Sequence, residues 1–418
     1  MYCGYDIDEK LLELSVQAEQ ELKEVFLGFE KTALINSGKV LKAFQNNRVN
    51  IADFNEVTGY GYYDGGREKL EKIYSEIFGT EDALVRTQIM SGTHALALTL
   101  SGLLKYGDTM ISITGEPYDS LRTIIGTDGD SRNSLIKNGI KYEQIELIND
   151  DFDIPTILAR LKKNKVKLIE IQRSRGYSQR KSLTVDKIAR LCKAVKEVDD
   201  QVIIMVDNCY GDFVEELEPT QVGADISVGS LMKNLGGGIA KSGGYILGKA
   251  ELVNDVAERY SAPCIGKDLG ANLNQNLSLY RGLYLAPSVV CNSLKTMAFA
   301  SWILEKLGYK VSPKFDEKRT DIIQTVDLFD PDKLVGFCKG IQFGAPVDSF
   351  VTPVPAPMPG YPNDEVMAGG SFISGSTIEL SCDGPMVAPY TAYMQGGLTY
   401  EYGKLGILLA LNNILKEK

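Results

Sequence analysis

The segment Gly229-Ser230-Leu231-Met232-Lys233-Asn234-Leu235-Gly236-Gly237-Gly238 carries the pattern that decides the fold. A short apolar run, Ile226–Val228, leads into it as a candidate strand. A lysine placed after such a strand and before a glycine run is a plausible site for a covalent bond through its amine, and the Ser230 hydroxyl could bind a phosphate. Taken alone, Lys233 could also be one more surface lysine, or part of an anion site without covalent chemistry.

A carboxylate stands 26 residues before that lysine, in the segment Val206-Asp207-Asn208-Cys209-Tyr210-Gly211. A carboxylate at the end of an apolar strand can pair with a pyridinium nitrogen and keep the ring charged as an electron sink. By itself, Asp207 reads better as a residue that caps the next turn.

A third segment, Ser91-Gly92-Thr93-His94, opens a helix of small and apolar residues. Free backbone N–H groups, hydroxyls and the positive end of the helix dipole together make a phosphate cradle, although an ordinary helix N-cap explains the segment equally well. The three segments in this order, a cradle, a carboxylate and a lysine, are much more specific than any one of them.

The middle of the chain alternates strand-like and helical patterns, which predicts an α/β domain with a mainly parallel sheet. We expect an N-terminal helical segment at residues 1–60, a large domain at 61–290 and a smaller α+β domain at 291–418, with a long helix starting after Pro287. The candidate strands are Ala83–Arg86, Thr109–Thr114, Lys167–Gln172, Val202–Asp207, Ile226–Val228 and Tyr245–Leu247, and the candidate helices include His94–Leu104 and Val185–Val198.

Composition excludes several classes of function. The formal charge of -10 disfavours nucleic acid and anionic membranes as partners. His94 is the single histidine, so a multi-histidine metal centre is impossible, and we expect no metal site. The seven scattered cysteines, the absence of a signal-like N-terminus and the absence of an 18-residue apolar run favour a cytoplasmic protein.

The chain resembles the fold-type-I pyridoxal-phosphate enzymes, and more closely the methionine γ-lyase-like group of aluminium resistance proteins, which is distantly similar to cystathionine β-lyase. The resemblance implies an α/β fold of the pyridoxal-phosphate-dependent transferase type with pyridoxal 5'-phosphate as cofactor. The segments that carry it are those around Gly92, Asp207 and Lys233, together with Ile171-Gln172-Arg173-Ser174-Arg175-Gly176-Tyr177 and Gln395-Gly396-Gly397-Leu398-Thr399-Tyr400-Glu401.

The resemblance also implies roles for individual residues. Lys233 would bind the cofactor as a Schiff base and move the α-proton, and Asp207 would pair with the pyridine nitrogen. Tyr118, 26 residues after Gly92, has the spacing of the tyrosine that stacks on the ring in the cystathionine lyases, with His94 as the competing candidate. The phosphate would be held by Ser91, Gly92, Thr93 and Ser230.

Tyr60 and Tyr62 resemble the pair that reaches the phosphate from a neighbouring subunit, which implies a homodimer or homotetramer with shared active sites. A Tyr-rich surface loop is the alternative for this pair.

Two departures from the lyases bear on the substrate. Met232 stands where they carry Thr or Ser, and no arginine follows Arg319 to clamp a substrate carboxylate from the C-terminal domain. A bidentate clamp needs a guanidinium, so Arg173 and Arg175 become the candidates. The alternative is that these two arginines bind the phosphate or pair with a residue of another subunit.

The predicted reaction is β- or γ-elimination from a sulfur-containing amino acid, with Lys233 as the general base. We expect burial and neighbouring cations to lower the pKa of this lysine. The alternatives are another pyridoxal-phosphate reaction on an amino acid, such as that of an aldolase or aminotransferase, or a scaffold that binds the cofactor without turnover.

Overall fold

The computed structural model describes residues 4–358, 361 and 363–416. These residues form two compact units. The larger unit is Asn36–Tyr284, and the smaller one combines the described residues up to Ile35 with those from Leu285 onward.

The helices and strands follow one another along the described residues in chain order. The helices are α1 Glu9–Glu21, α2 Lys23–Asn46, α3 Gly65–Phe78, α4 Gly92–Leu103, α5 Asp119–Ile125, α6 Ile154–Leu161, α7 Val185–Val198, α8 Ala250–Tyr260, α9 Asn276–Lys306, α10 Pro331–Phe343 and α11 Tyr400–Lys416. The strands are β1 Asp82–Arg86, β2 Thr109–Ser112, β3 Lys141–Gln144, β4 Leu147–Ile148, β5 Asp151–Phe152, β6 Leu168–Gln172, β7 Ile203–Asp207, β8 Ile226–Ser230, β9 Gly244–Gly248, β10 Lys310–Ser312, β11 Ile323–Asp327, β12 Ala356–Pro357, β13 Asp364–Ala368, β14 Ser381–Pro385 and β15 Thr391–Gln395.

The larger unit is built on a seven-stranded sheet in the order β1-β9-β8-β7-β6-β2-β3. The pairings from β3 through β8 are parallel, and β9 pairs antiparallel with both β8 and β1. Every residue of β6, β7 and β8 is buried, as expected for parallel strands that are covered on both faces. The predicted α/β fold is therefore confirmed.

Helix α7 is an example of an amphipathic helix with one buried face. Its buried residues Val185, Ile188, Leu191, Cys192 and Val195 recur at three- and four-residue intervals on one face. The Thr184 side chain caps the helix by accepting a hydrogen bond from the backbone N–H of Lys187.

The smaller unit contains a six-stranded antiparallel sheet in the order β10-β11-β15-β14-β13-β12. Helix α1 does not form a separate segment with residues up to 60. Leu11, Ala18 and Leu22 are buried in the same apolar cluster as Trp302 and Ile407, so α1 packs with residues from α9 and α11.

Hydrogen bonds also join the two ends of the described chain within this unit. The backbone N–H of Asp8 donates to Oδ1 of Asn412 at 2.9 Å, and Nδ2 of Asn412 donates to the carbonyl of Asp6 at 2.9 Å. Helices α1 and α11 are therefore held together at one end.

The prediction that the long helix starts after Pro287 is wrong, because Pro287 lies inside α9, which starts at Asn276. No helix among the described residues has the length and apolar character needed to cross a membrane.

Candidate active site

Three predicted segments meet at the carboxyl ends of neighbouring strands of the larger unit. Asp207 is the last residue of β7 and pairs in register with Gln172 of β6 and Val228 of β8. Ser230 ends β8, three residues before Lys233. Because open α/β sheets bind ligands at the carboxyl edge of their parallel strands, this edge is the candidate site.

The segment around Gly92 belongs to the same place. The Ser91 hydroxyl caps α4 by accepting a hydrogen bond from the N–H of His94 at 3.1 Å. A Cβ atom added to Gly92 would lie 3.1 Å from Sγ of Cys209 and 3.3 Å from Cβ of Ser230. The cradle, the segment after Asp207 and the segment before Lys233 are thus in contact.

The first turn of α4 can receive an anion. The N–H groups of Gly92 and Thr93 have no acceptor within the helix, because the first turn of any helix leaves its N–H groups unpaired. The Thr93 hydroxyl lies 3.3 Å from that of Ser120. With the Ser230 side chain beside them, these groups have the chemistry of a phosphate-binding turn.

Lys233 is partly buried, and its Nζ lies 3.8 Å from the centre of the Tyr210 ring. Burial lowers the pKa of this lysine, but the acidic groups around it, Cys209, Tyr210, Asp207 and Tyr118, outweigh burial and hold the pKa above its ordinary value. The groups that act on Lys233 do not include the expected cations, so the prediction of a lowered pKa is wrong for the cofactor-free protein.

Asp207 is buried and accepts a hydrogen bond at Oδ1 from the N–H of Cys209 at 3.1 Å. Burial raises the pKa of its carboxyl group, while the charge of Lys233 acts in the opposite direction. A buried carboxylate is suited to a cationic partner.

Tyr118 lies in the site, whereas His94 is turned toward another surface. Burial raises the pKa of the Tyr118 phenol, and the charges of Asp207 and Cys209 act in the same direction, while Ser120 and Lys233 act in the opposite one. Nδ1 of His94 accepts a hydrogen bond from the N–H of Met90 at 3.2 Å. The imidazole also lines a cavity of about 390 Å³ with Tyr60, Gln88 and Tyr260. Of the two stacking candidates, the geometry favours Tyr118.

Arg173 is fully buried behind the site. Its guanidinium donates to Oδ1 of Asn208 at 2.7 Å and to Oε1 of Glu215 at 3.1 Å, and it lies 3.6 Å from Oε2 of Glu218. Substrate could reach this group only if these contacts broke, so the structure disfavours Arg173 as the carboxylate clamp.

Arg175 is also buried, and its backbone N–H donates to the Ser182 hydroxyl at 3.0 Å. Its role toward a substrate stays a prediction.

Tyr60 and Tyr62 lie on an exposed loop with their ring centroids 5.9 Å apart. They are not among the groups that surround Lys233 in its own chain. Their exposure is what a contribution to a neighbouring subunit requires, and that contribution also stays a prediction.

Sequence reasoning missed two residues that the geometry brings into the site. Tyr210 contacts the lysine amine, and Gln172 accepts a hydrogen bond at Oε1 from the N–H of Tyr118 at 2.9 Å. A sequence signal was available for Gln172, which ends a predicted strand, whereas nothing in the turn after Asp207 shows that Tyr210 contacts the lysine.

The fold and several sequences place the chain among known proteins. A solved carbon-sulfur lyase involved in aluminum resistance from Clostridium novyi NT is 43% identical, with a TM-score of 0.94 over 98% of this chain and 96% of that one. The pyridoxal-5'-phosphate dependent protein YhfS from Escherichia coli shares the fold, with a TM-score of 0.64 at 16% identity over 93% of this chain and 97% of that one.

Among curated proteins, the uncharacterized protein YnbB of Bacillus subtilis (strain 168) is 44% identical over 98% of both chains. The family model described as methionine gamma-lyase matches residues 11–415. Because that match covers nearly the whole sequence and agrees with the arrangement around Lys233, the chain belongs to the methionine gamma-lyase family.

Proposed function

We propose that the protein is a pyridoxal-phosphate-dependent carbon–sulfur lyase that acts on a sulfur-containing amino acid by β- or γ-elimination. The observation that carries the proposal is the position of Lys233, whose amine lies among Asp207, Tyr118 and Cys209 beside the first turn of α4. Membership of a lyase family supports the reaction class.

The residues present fit this cofactor. Gly92 leaves space that a Cβ atom would fill against Cys209 and Ser230, so a phosphate can approach the backbone N–H groups of the turn. Ser91 and Thr93 frame the same turn. The buried Asp207 suits a protonated ring nitrogen, and Tyr118 supplies an aromatic face.

Each of these residues has a task in the proposed reaction. Lys233 holds the cofactor through Nζ and, once released, takes the proton from Cα of the substrate. Asp207 keeps the ring nitrogen charged, so that the bound cofactor supplies an electron sink. Tyr118 orients the leaving group or donates a proton to it.

The substrate and assembly are further parts of the proposal. Arg175 is the candidate for binding the substrate carboxylate, because Arg173 already pairs with Glu215. Tyr60 and Tyr62 reach the phosphate of a neighbouring subunit, so that the sites are shared within a homodimer or homotetramer.

An absorption spectrum of the purified protein with added pyridoxal phosphate tests the covalent site. We expect a visible band that is lost in Lys233→Ala and kept in Lys241→Ala, whose lysine is exposed on the same glycine-rich segment. A band that survives in Lys233→Ala would contradict the assignment.

Turnover tests the reaction. We expect cystathionine or methionine to release both a thiol and a keto acid. A keto acid without a thiol would indicate an aminotransferase, and a bound cofactor without turnover of any sulfur amino acid would indicate a scaffold.

A further inference from the structure

The Tyr210 ring contacts the lysine on which the proposed chemistry depends. Nζ of Lys233 lies 3.8 Å from the ring centre, well within the roughly 6 Å over which an aromatic face attracts a cation. Other groups that face this amine are Asp207 and Cys209, from the end of β7 and its turn, and Tyr118 from the start of α5.

The backbone holds Tyr210 in this position at a conformational cost. Its φ angle is +70°, a left-handed conformation that bulky residues rarely adopt and that persists only where the surrounding structure holds it. Nδ2 of Asn234 donates to the carbonyl of Tyr210 at 3.1 Å and to that of Asp212 at 2.8 Å. The residue next to Lys233 therefore fixes the turn that carries the ring.

This arrangement stabilises one state of the lysine over another. An aromatic face binds a free ammonium group, whose charge is compact, and it loses that contact when Nζ is drawn into a covalent bond elsewhere. The ring therefore favours the form in which Lys233 is unattached.

We propose that Tyr210 is a positioning residue that holds the Lys233 ammonium group whenever the lysine is not bonded to the cofactor. The inference rests on the proposed function, in which the displaced lysine becomes an ammonium group when it takes the proton from Cα and must then stay beside Cα until it gives the proton up. The ring keeps it next to Asp207 and Tyr118 during that interval.

A graded series of substitutions at Tyr210 in the full chain tests the inference. The variants are Tyr210→Phe, Tyr210→3,4,5-trifluorophenylalanine and Tyr210→Leu, each with its melting temperature checked. The trifluoro variant keeps the ring shape but removes its negative face. Two quantities are measured: the dissociation constant for pyridoxal phosphate, and the pKa of Lys233 in the cofactor-free protein, from the pH dependence of its acetylation followed by mass spectrometry.

We expect Tyr210→Phe to behave as the wild type. The trifluoro and Leu variants should bind the cofactor about 2- to 30-fold more tightly, the range that a cation–π contact of about 0.5–2 kcal/mol represents. The pKa of Lys233 should fall in the same two variants, because its ammonium form loses a partner.

Equal pKa values across the series, or weaker cofactor binding in the trifluoro variant, would overturn the inference. If Leu does not fold, the trifluoro variant still decides, because its shape matches that of Phe. A wild type that forms no covalent bond with pyridoxal phosphate would instead contradict the proposed function, so the two failures are distinguishable.

Discussion

Glu170 is a fully buried carboxyl group on β6, one strand away from Asp207. Its Oε2 accepts a hydrogen bond from the Ser112 hydroxyl at 2.8 Å. Burial raises its pKa to about 7, and the charge of Asp207 acts in the same direction, while Ser112 and Arg180 act in the opposite one. This group titrates near neutral pH without belonging to the proposed chemistry.

The Glu170 pKa predicts how stability depends on pH. Between the unfolded value near 4.5 and the folded value of about 7, the folded protein holds a proton that the unfolded chain has released. Its contribution to the free energy of unfolding therefore falls as pH rises through that window, by on the order of 3 kcal/mol, and is constant above it.

Glu170→Gln should remove this dependence, so the variant gains stability relative to wild type between pH 5 and pH 8. Urea unfolding at the two pH values measures the effect, with the exposed Glu251→Gln as the control. A parallel pH profile for wild type and Glu170→Gln would contradict the assignment.

The start of α4 is the element on which the phosphate site depends. Gly92→Ala should push the turn away from Cys209 and Ser230, because the added Cβ would lie only 3.1 Å and 3.3 Å from their atoms. We expect cofactor affinity to fall by about 1–3 kcal/mol. Gly38→Ala, in the exposed part of α2 where the added atom meets nothing within 4 Å, is the matched control. A cofactor titration that gives the same affinity for both variants would contradict the proposal that this turn binds the phosphate.

The end of β6 is tied to the turn after β7 through Arg173. Arg173→Ala should lower the free energy of unfolding by about 3–5 kcal/mol, because it removes the guanidinium from the buried Glu218 and breaks the ion pair with the partly buried Glu215. Arg190→Ala removes an exposed ion pair with Asp151 and should cost only about 0–1 kcal/mol. If Arg173→Ala kept its stability and only raised the KM, the arginine would bind substrate instead.

The central elements were predictable because their signals are local. The predicted strands Lys167–Gln172 and Val202–Asp207 differ from β6 and β7 by one residue at the start, since both are mainly apolar runs that end at polar residues. Strand β3 was missed, because this edge strand consists of partly exposed, mostly polar residues.

Within the site, the Gly92, Asp207 and Lys233 segments were recognised from their order, and the structure brings them together. The contact of Tyr210 with Lys233 was not predictable, because it depends on a positive φ angle and on the Asn234 side chain. The contacts of Arg173 were not predictable either, because its sequence context does not reveal that Glu215 and Glu218 lie against it.

At the scale of the whole molecule, the exposed Tyr60 predicts sites that depend on two subunits. Mixtures of unfolded Lys233→Ala and Tyr60→Ala chains, refolded together in equal amounts, should regain activity. If assembly is random, half of the dimers are mixed, and each mixed dimer has one intact site out of two. The expected activity is therefore about a quarter of that of the wild type. Each variant refolded alone is the control, and a mixture no more active than the controls would show that Tyr60 does not serve a neighbouring site.

The assignment of residues to the two compact units was the least predictable feature of the molecule. The contact of α1 with α11 joins residues about 400 positions apart, as between Asp8 and Asn412, and no local pattern encodes it. The predicted boundaries at residues 60 and 290 therefore divide the chain differently from the structure, in which α1 packs with the residues after Leu285.

The pairing of α1 with α11 also sets an order of events during synthesis. A ribosome adding about 5–20 residues per second makes α1 first, yet α11 emerges only after the continuous stretch 36–284 and the later strands. The larger unit can therefore acquire its structure on the nascent chain, while Leu11 and Leu22 stay without their native neighbours. Until translation reaches α11, those leucines are a natural target for chaperones.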